Sequence, residues 1–132
     1  MSIQILPINA RINVKIGPVT FVCSPLTSQQ QAEILAHIQQ SSGVSHVDKF
    51  KQMRIALKYS LKDIKGVEMF GKAYKLKFDD NGNVTDDCLE EISQLGQERK
   101  LQGVVMRWLS EGYMDPKFPG INIEFPKARQ KN

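Results

Sequence analysis

The stretch Arg11–Cys23, RINVKIGPVTFVC, decides the fold predicted for this chain. Apolar residues alternate with polar ones at Ile12, Val14 and Ile16, which is the period of a strand with one buried face. The pair Gly17-Pro18 interrupts the pattern, and the β-favouring run VTFVC follows directly. The sequence therefore predicts an antiparallel β-hairpin near the N-terminus.

Two amphipathic helices are predicted after the hairpin. Thr27 and Gln30 match a T-x-x-Q capping box, in which each side chain bonds the other residue's backbone amide, so a helix is expected from Thr27 to about Gln40. Its apolar side would comprise Ala32, Ile34, Leu35 and Ile38. A second helix over about 45–65, closed by Gly66, has the strongest periodic signal in the chain. Its apolar residues recur at intervals of three and four: Val47, Phe50, Met53, Leu57, Leu61 and Ile64.

The acidic stretch KFDDNGNVTDDC, Lys77–Cys88, raises the question of a calcium loop. An EF-hand loop needs oxygen ligands at its first, third and fifth positions, glycine at the sixth and a bidentate glutamate at the twelfth. With Gly82 at the sixth position, Lys77 takes the first and Cys88 the twelfth. A cationic side chain at the first ligand position and a thiol at the twelfth argue against calcium binding.

A strand, a turn and a helix start account for the same residues. The segment Tyr74–Phe78 alternates apolar residues with lysines, which predicts a strand with one wet face. Asp80-Asn81-Gly82 favours a turn, and Thr85 is placed to cap the helix that follows. Asp86 and Asp87 would then lie in the first helical turn, where the helix dipole favours negative charge.

The C-terminal half is predicted to be helical and then extended. A third helix is expected over 86 to about 95 and a fourth over about 97–111, with Gly96 and Gly103 leaving open a single longer helix with bends. The fold class is therefore α+β: a helix-dominated single domain with an N-terminal β-hairpin and short additional strands. This domain would span residues 1–126, and residues 127–132 would form a basic tail.

Composition and charge set the outer limits on function. The chain has 132 residues, of which 41% are hydrophobic and 24% charged, as is usual for a folded domain. A formal net charge of +4 leaves an acidic protein or a nucleic acid open as a partner. No apolar run is long enough to span a bilayer and no signal peptide is visible, so we expect a cytoplasmic protein without membrane contact. Cys23 and Cys88 match no metal spacing and are expected to be buried free thiols.

The sequence contains no motif of catalysis, metal binding or cofactor binding. His37 and His46 are the only histidines, and neither has metal-ligand spacing. Acidic residues such as Glu90-Glu91 are adjacent in sequence, whereas carboxylates that share acid and base roles face each other across a substrate. We therefore expect no catalytic residues, no metal and no cofactor. Only an enzyme assembled from residues distant in sequence stays open.

A cationic stripe on the second predicted helix is the most suggestive surface feature. Its residues recur at helical spacing, about a quarter turn from the apolar stripe: Lys51, Arg54, Lys58, Lys62 and Lys65. Such a stripe is most often a solvated helix face, but it also suits an acidic protein partner or a phosphate backbone. The aromatic residues follow the core pattern instead of this stripe, which makes nucleic acid the weakest of the three interpretations.

The C-terminal arm offers a second candidate surface for a protein partner. Phe118, Ile121, Ile123 and Phe125 lie in a segment that prolines interrupt, and they could present an apolar edge to another chain. Alternatively, they add an edge strand to the domain's own sheet. The alternation of the last three residues favours this alternative.

The order of these segments resembles that of the tail assembly chaperones of lambda-like long-tailed phages. The resemblance rests on the helix TSQQQAEILAHI, on the stretch MRIALKYSLKDIKGVEMFGKAYKLKFDDNGNVTDDCLEEI and on the helical C-terminal half. It implies a non-enzymatic protein that forms homo-oligomers and escorts the tape measure protein while tail tube subunits polymerise. It also implies action in the host cytoplasm, absence from the mature virion and a longer product made by translational frameshifting. No individual site residue is carried over from the family.

Two other functions stay open from the sequence. A tail structural or completion protein would remain in the mature particle, where a chaperone is missing. A small basic regulator that binds nucleic acid would have an affinity for DNA or RNA that falls steeply with added salt.

Overall fold

The described part of the chain forms a four-stranded antiparallel sheet, a small hairpin and four helices. The structure is a computed structural model that describes residues 5–40, 54–112 and 118–126. The strands are β1 (Ile12–Ile16), β2 (Val19–Cys23), β3 (Leu61–Lys65), β4 (Glu68–Met69), β5 (Lys72–Ala73) and β6 (Asn122–Glu124). The helices are α1 (Ser28–Gln40), α2 (54–60), α3 (Asp86–Ile92) and α4 (Gln97–Glu111). The main sheet has the order β3-β2-β1-β6, and β4 pairs with β5. The predicted α+β class is confirmed.

The predicted N-terminal hairpin is present and forms the centre of the sheet. β1 and β2 pair antiparallel from Ile12 opposite Cys23 to Ile16 opposite Val19. Gly17 takes a positive φ of 58° between the strands, a backbone conformation that glycine adopts without steric cost. The inward side chains of both strands are buried, so the alternation in β1, the Gly17-Pro18 break and the β-favouring run of β2 together predicted this element correctly.

The prediction of one helix over 45–65 is wrong at its C-terminal end. Residues 54–60 are helical, but 61–65 form β3, and residues 45–53 lie outside the described residues. β3 contains a bulge: Phe21 lies opposite Ile64 and Cys23 opposite Leu61, so three steps on β3 match two on β2. The bulge brings Leu61 and Ile64 to the same buried face, and a spacing of three therefore imitates a helix in the sequence.

Helix α1 begins as predicted but buries less of its apolar side than predicted. The capping box is reciprocal: the backbone N–H of Gln30 donates to Thr27 Oγ1 at 3.2 Å, and that of Thr27 donates to Gln30 Oε1 at 3.0 Å. Ile34 is fully buried, whereas Leu35 is 46% exposed and Ala32 is also exposed. The side chain of Ile38 is outside the described set.

The acidic stretch forms the predicted turn and cap, without a regular strand before it. The Thr85 hydroxyl accepts a hydrogen bond from the Cys88 N–H at 3.3 Å, and α3 follows. Residues 74–77 belong to no strand, and Phe78 forms only an isolated bridge with Val84. The strand prediction for Tyr74–Phe78 is therefore wrong, although the alternation survives as burial of Tyr74 between exposed neighbours.

Helix α4 has the predicted bounds and packs against the sheet. Gly96 has φ 81° and separates α3 from α4, which excludes the single longer helix, while Gly103 is accommodated inside α4. One hydrophobic cluster joins the sheet to the helices, including Phe21, Leu57 and Trp108. Cys23 and Cys88 are both buried as free thiols, and burial raises the pKa of the Cys23 thiol to about 12.

The C-terminal arm supplies an edge strand, as the alternation favoured. β6 pairs antiparallel with β1, with Ile123 opposite Val14. On the polar face of the sheet, Lys15 Nζ lies 3.2 Å from Glu124 Oε2. The predicted basic tail 127–132 lies outside the described residues.

Replacing Gly66 by alanine should destabilise the fold by at least about 2 kcal/mol, because the residue combines a left-handed backbone with a clash. Gly66 has φ +86°, and a Cβ there would lie 2.2 Å from the Pro18 carbonyl oxygen. Gly82 is the matched control, since it has φ +78° but no atom within 4 Å of a Cβ. Gly82→Ala should cost only about 1 kcal/mol. Urea denaturation of both variants measures the difference, and equal losses would contradict the close approach of Gly66 to Pro18.

Candidate functional site

The predicted cationic stripe does not form one continuous surface. Arg54 and Lys58 lie on α2, but Lys62 and Lys65 lie on β3, because the helix ends at residue 60. Lys51 lies outside the described residues. The stripe as a single helix face is therefore wrong for the described residues.

Arg54 and Lys58 line a cleft between α1, α2 and α3. The cleft has a volume of about 760 Å³, and Ile55, Leu89 and the half-buried His37 also line it. Arg54 Nη1 lies 2.5 Å from Glu90 Oε1, which joins α2 to α3. The Tyr59 hydroxyl donates to Glu33 Oε2 and so joins α2 to α1, and this hydrogen bond is the main cause that raises the pKa of Tyr59 to about 12.

The side chain of Lys62, on β3, contacts the acidic turn instead of forming part of a cationic binding surface. Its Nζ donates to the Gly82 carbonyl at 3.3 Å, and burial lowers its pKa. Asp79 Oδ1 accepts hydrogen bonds from the backbone N–H groups of Asn81 and Asn83, at 2.8 Å and 3.0 Å. These bonds help to lower the pKa of Asp79. The carboxylate thus organises the turn, a role that the sequence analysis did not assign to Asp79.

The apolar residues of the C-terminal arm lie partly buried against the core. Ile121 and Phe125 pack on the hydrophobic cluster from either side of β6. Phe118 also packs there, and the Arg107 guanidinium lies 5.2 Å from the centre of its ring. These contacts explain the residues as parts of the fold, and their use by a partner stays a prediction.

The β4–β5 hairpin, which the sequence reasoning did not single out, has the most unusual exposed residue described. Phe70 is 98% exposed and Met69 is 36% exposed at its tip. Phe70 and Gly71 have φ of 53° and 76°, positive at both central positions as a type I′ turn requires. Phe70 is the only non-glycine residue with positive φ in the described ranges.

The left-handed backbone conformation of Phe70 destabilises the fold, and burial of its side chain does not compensate for this. A left-handed backbone costs about 1–2 kcal/mol for a residue with a Cβ, and asparagine tolerates it better. A ring that is 98% exposed contributes almost nothing to the core. A strained residue that the fold does not use points to a function.

Three lysines surround the exposed tip on one side. Lys72, Lys75 and Lys77 line a shallow concavity of about 380 Å³ together with Met69 and Phe70. We call these five residues the hairpin patch. None of its lysines is within ion-pair distance of a carboxylate in the described part of the chain.

The other side of the hairpin is anchored to α3 and carries acidic groups. A pocket of about 310 Å³ lies there, and its lining residues include Met69, Phe70, Tyr74, Glu68 and Glu91. The Tyr74 hydroxyl donates to Glu91 Oε1 at 2.7 Å and lies 3.0 Å from the sulfur of Cys88. Burial first, and then these contacts, raise the pKa of Tyr74 far above its usual value. The base of the hairpin thus contacts α3 through Tyr74, while Phe70 at its tip stays exposed to solvent.

The comparisons with known proteins give no relative for this chain. No family model matches it, and no curated protein or solved structure is significantly similar to it. In the described ranges, no helix is both long enough and apolar enough to cross a bilayer. A search of the same residues finds no cluster of side chains with the composition of a metal site. His46 lies outside the described residues.

The bond between Tyr59 and Glu33 should make stability fall at alkaline pH. Its formation favours the protonated phenol, so its contribution is complete below the ordinary pKa of 10.0 and is lost as pH rises through about 12. We expect the stability difference between wild type and Tyr59→Phe to shrink over this interval. Denaturant midpoints measured at closely spaced pH values test this. A difference that stays constant up to pH 12 would show that folding does not raise the pKa of Tyr59.

Replacing Phe70 by asparagine should stabilise the fold by about 1 kcal/mol, because asparagine relieves the left-handed strain and little apolar contact is lost. Phe78→Asn is the matched control, since Phe78 is 42% exposed and has no positive φ. That variant should show no gain. Thermal and urea denaturation measure both variants, and a loss of stability in Phe70→Asn would mean that Phe70 serves the fold.

Proposed function

We propose that this protein is a non-enzymatic phage tail assembly chaperone that binds the tape measure protein and tail tube subunits. The observation that carries the proposal is the hairpin patch, with its strained and exposed Phe70 beside three lysines. The resemblance of the segment order to lambda-like tail assembly chaperones supplies the identity of the partners. In this proposal the free protein is a homo-oligomer in the host cytoplasm, and it leaves before the virion is complete.

The chemistry of the patch suits a protein partner. An exposed aromatic side chain can act as an anchor that fills an apolar pocket in another chain, where aromatic residues often dominate the binding energy. The surrounding lysines favour a partner whose pocket is bordered by carboxylates, and they would speed the encounter by long-range attraction. A fixed two-residue turn lowers the entropy lost on binding, because the tip is already ordered.

Single-stranded nucleic acid is a second candidate, and the same observation favours it. Proteins that bind single strands combine cationic side chains with aromatic rings on which bases stack. Phe70 beside Lys72, Lys75 and Lys77 has this composition. We rank it second because the patch offers a single ring, whereas binding along a strand uses successive stacking platforms.

The decisive experiment measures binding to the tape measure protein encoded in the same phage genome. Phe70→Asn should weaken binding at least about tenfold, since loss of an aromatic anchor commonly costs more than 1.4 kcal/mol. Leu35→Asn is the matched control, because Leu35 is 46% exposed on α1 and lies outside the patch. It should bind like the wild type. Absence of binding by the wild type, or equal binding by the two variants, would contradict the proposal.

The nucleic-acid alternative is tested with a fluorescent single-stranded oligonucleotide. An affinity that falls steeply between low and physiological salt, and that Phe70→Asn abolishes, would favour this alternative over the chaperone. Mass spectrometry of mature particles separates the remaining possibility, a structural or completion protein, because such a protein would be present there.

A further inference from the structure

We propose that a second copy of this chain docks on the hairpin patch and on the adjoining acidic pocket lined by Glu68 and Glu91, in a two-fold symmetric dimer with the two hairpin tips packed against each other. The inference deepens the proposed function, because it names a second occupant of the same patch and a way to regulate it. It stands on the distribution of charge about the hairpin and not on the identity of the client.

The two sides of the hairpin carry opposite charge around a shared apolar tip. Lys72, Lys75 and Lys77 line the concavity on one side, and Glu68 and Glu91 line the pocket on the other. Met69 and Phe70 line both. The surface is therefore a cationic side, an apolar centre and an acidic side, in that order.

Such a surface is complementary to itself under a two-fold rotation. In a two-fold dimer the same patch is used by both subunits, and each contact occurs twice. A two-fold axis that passes through the apolar centre, in the plane of the interface and perpendicular to the line from the cationic to the acidic side, places the cationic side of each copy opposite the acidic side of the other. Met69 and Phe70 of both copies then meet in the middle, where they leave water together. A partner with only acidic groups would satisfy one side of the hairpin and leave the other unmatched.

The size of the patch indicates a weak and reversible dimer. Stable interfaces bury about 800 Å² on each partner, which is more than one hairpin tip provides. The dimer would shield Phe70 in the free protein and open when a client with a better pocket competes for the same residue. Self-association and client binding should therefore exclude each other at this patch.

A charge-swap experiment on the full chain tests the dimer. Lys72→Glu and Glu68→Lys each place like charges opposite each other in both halves of the interface, so each variant alone should dimerise at least about tenfold more weakly than the wild type. When the two are mixed, both contacts regain opposite charges, and the mixed dimer should recover wild-type affinity. Sedimentation velocity over a range of concentrations measures all four samples: the wild type, each variant alone and the mixture. Recovery on mixing also shows that both variants are folded.

Two further variants make the test specific to the patch. Phe70→Asn should weaken the dimer, whereas Lys100→Glu, which changes the net charge equally on the exposed surface of α4, should not. A wild-type protein that stays monomeric, a mixture no tighter than its components, or an equal effect of Lys100→Glu would each overturn the inference.

The outcome is separable from that of the proposed function. A dimer that follows the charge swap in a protein that ignores the tape measure protein would refute only the proposed function. A monomer that binds the tape measure protein through Phe70 would refute the dimer and the expected homo-oligomer, while the binding of the chaperone to its client would stand.

Discussion

The antiparallel pairing of β1 with β2 is the constraint on which the rest of the structure depends. Its register places the inward residues of the two strands opposite each other: Ile12 with Cys23, Val14 with Phe21, and Ile16 with Val19. All six are almost completely buried, and β3 and β6 add to the two sides of this pair. A slip by one residue would turn the polar side chains of β1 into the core, so the hydrophobic pattern holds the register strongly. The helices then need only one apolar side each to close the core over this face.

Elements whose determinants are local could be predicted from the sequence. The Thr27–Gln30 capping box and the Thr85 cap follow from side chains within a few residues of the helix ends they define. The bounds of α4 follow from Gly96 and Gly112, which both have positive φ. β3 could not be found in this way, because its inward residues follow the helical period of α2 without interruption. Pairing with β2 decides its conformation, and the bulge that reconciles the two periods exists only in that pairing. Tertiary contacts here outweigh local preference.

The candidate site was less predictable than the fold. The cationic stripe depended on a helix that continues to residue 65, and it disappeared when β3 replaced the last turn. The hairpin patch could not be predicted from the sequence for a different reason. Strands of two residues have no periodicity to detect, and exposure of Phe70 is a property of the folded chain. The one local sign was an aromatic residue directly before Gly71, followed by Lys72, Lys75 and Lys77, where asparagine would be the usual turn residue.

The base and the tip of the β4–β5 hairpin have different roles: the base packs against the rest of the domain, and the tip is exposed to solvent. Tyr74 lies at the base of the hairpin, where its N–H donates to the Val67 carbonyl at 2.8 Å and its hydroxyl reaches Glu91 on α3. The contacts of Tyr74 therefore fix the direction of the hairpin without covering its tip. Strain at Phe70 persists because this surrounding structure holds the turn, and the cost is small against the several kcal/mol that a domain of this size has in reserve. A side chain kept exposed under strain on a rigid support is already arranged for binding, so a partner gains the apolar contact without having to order the loop that presents it.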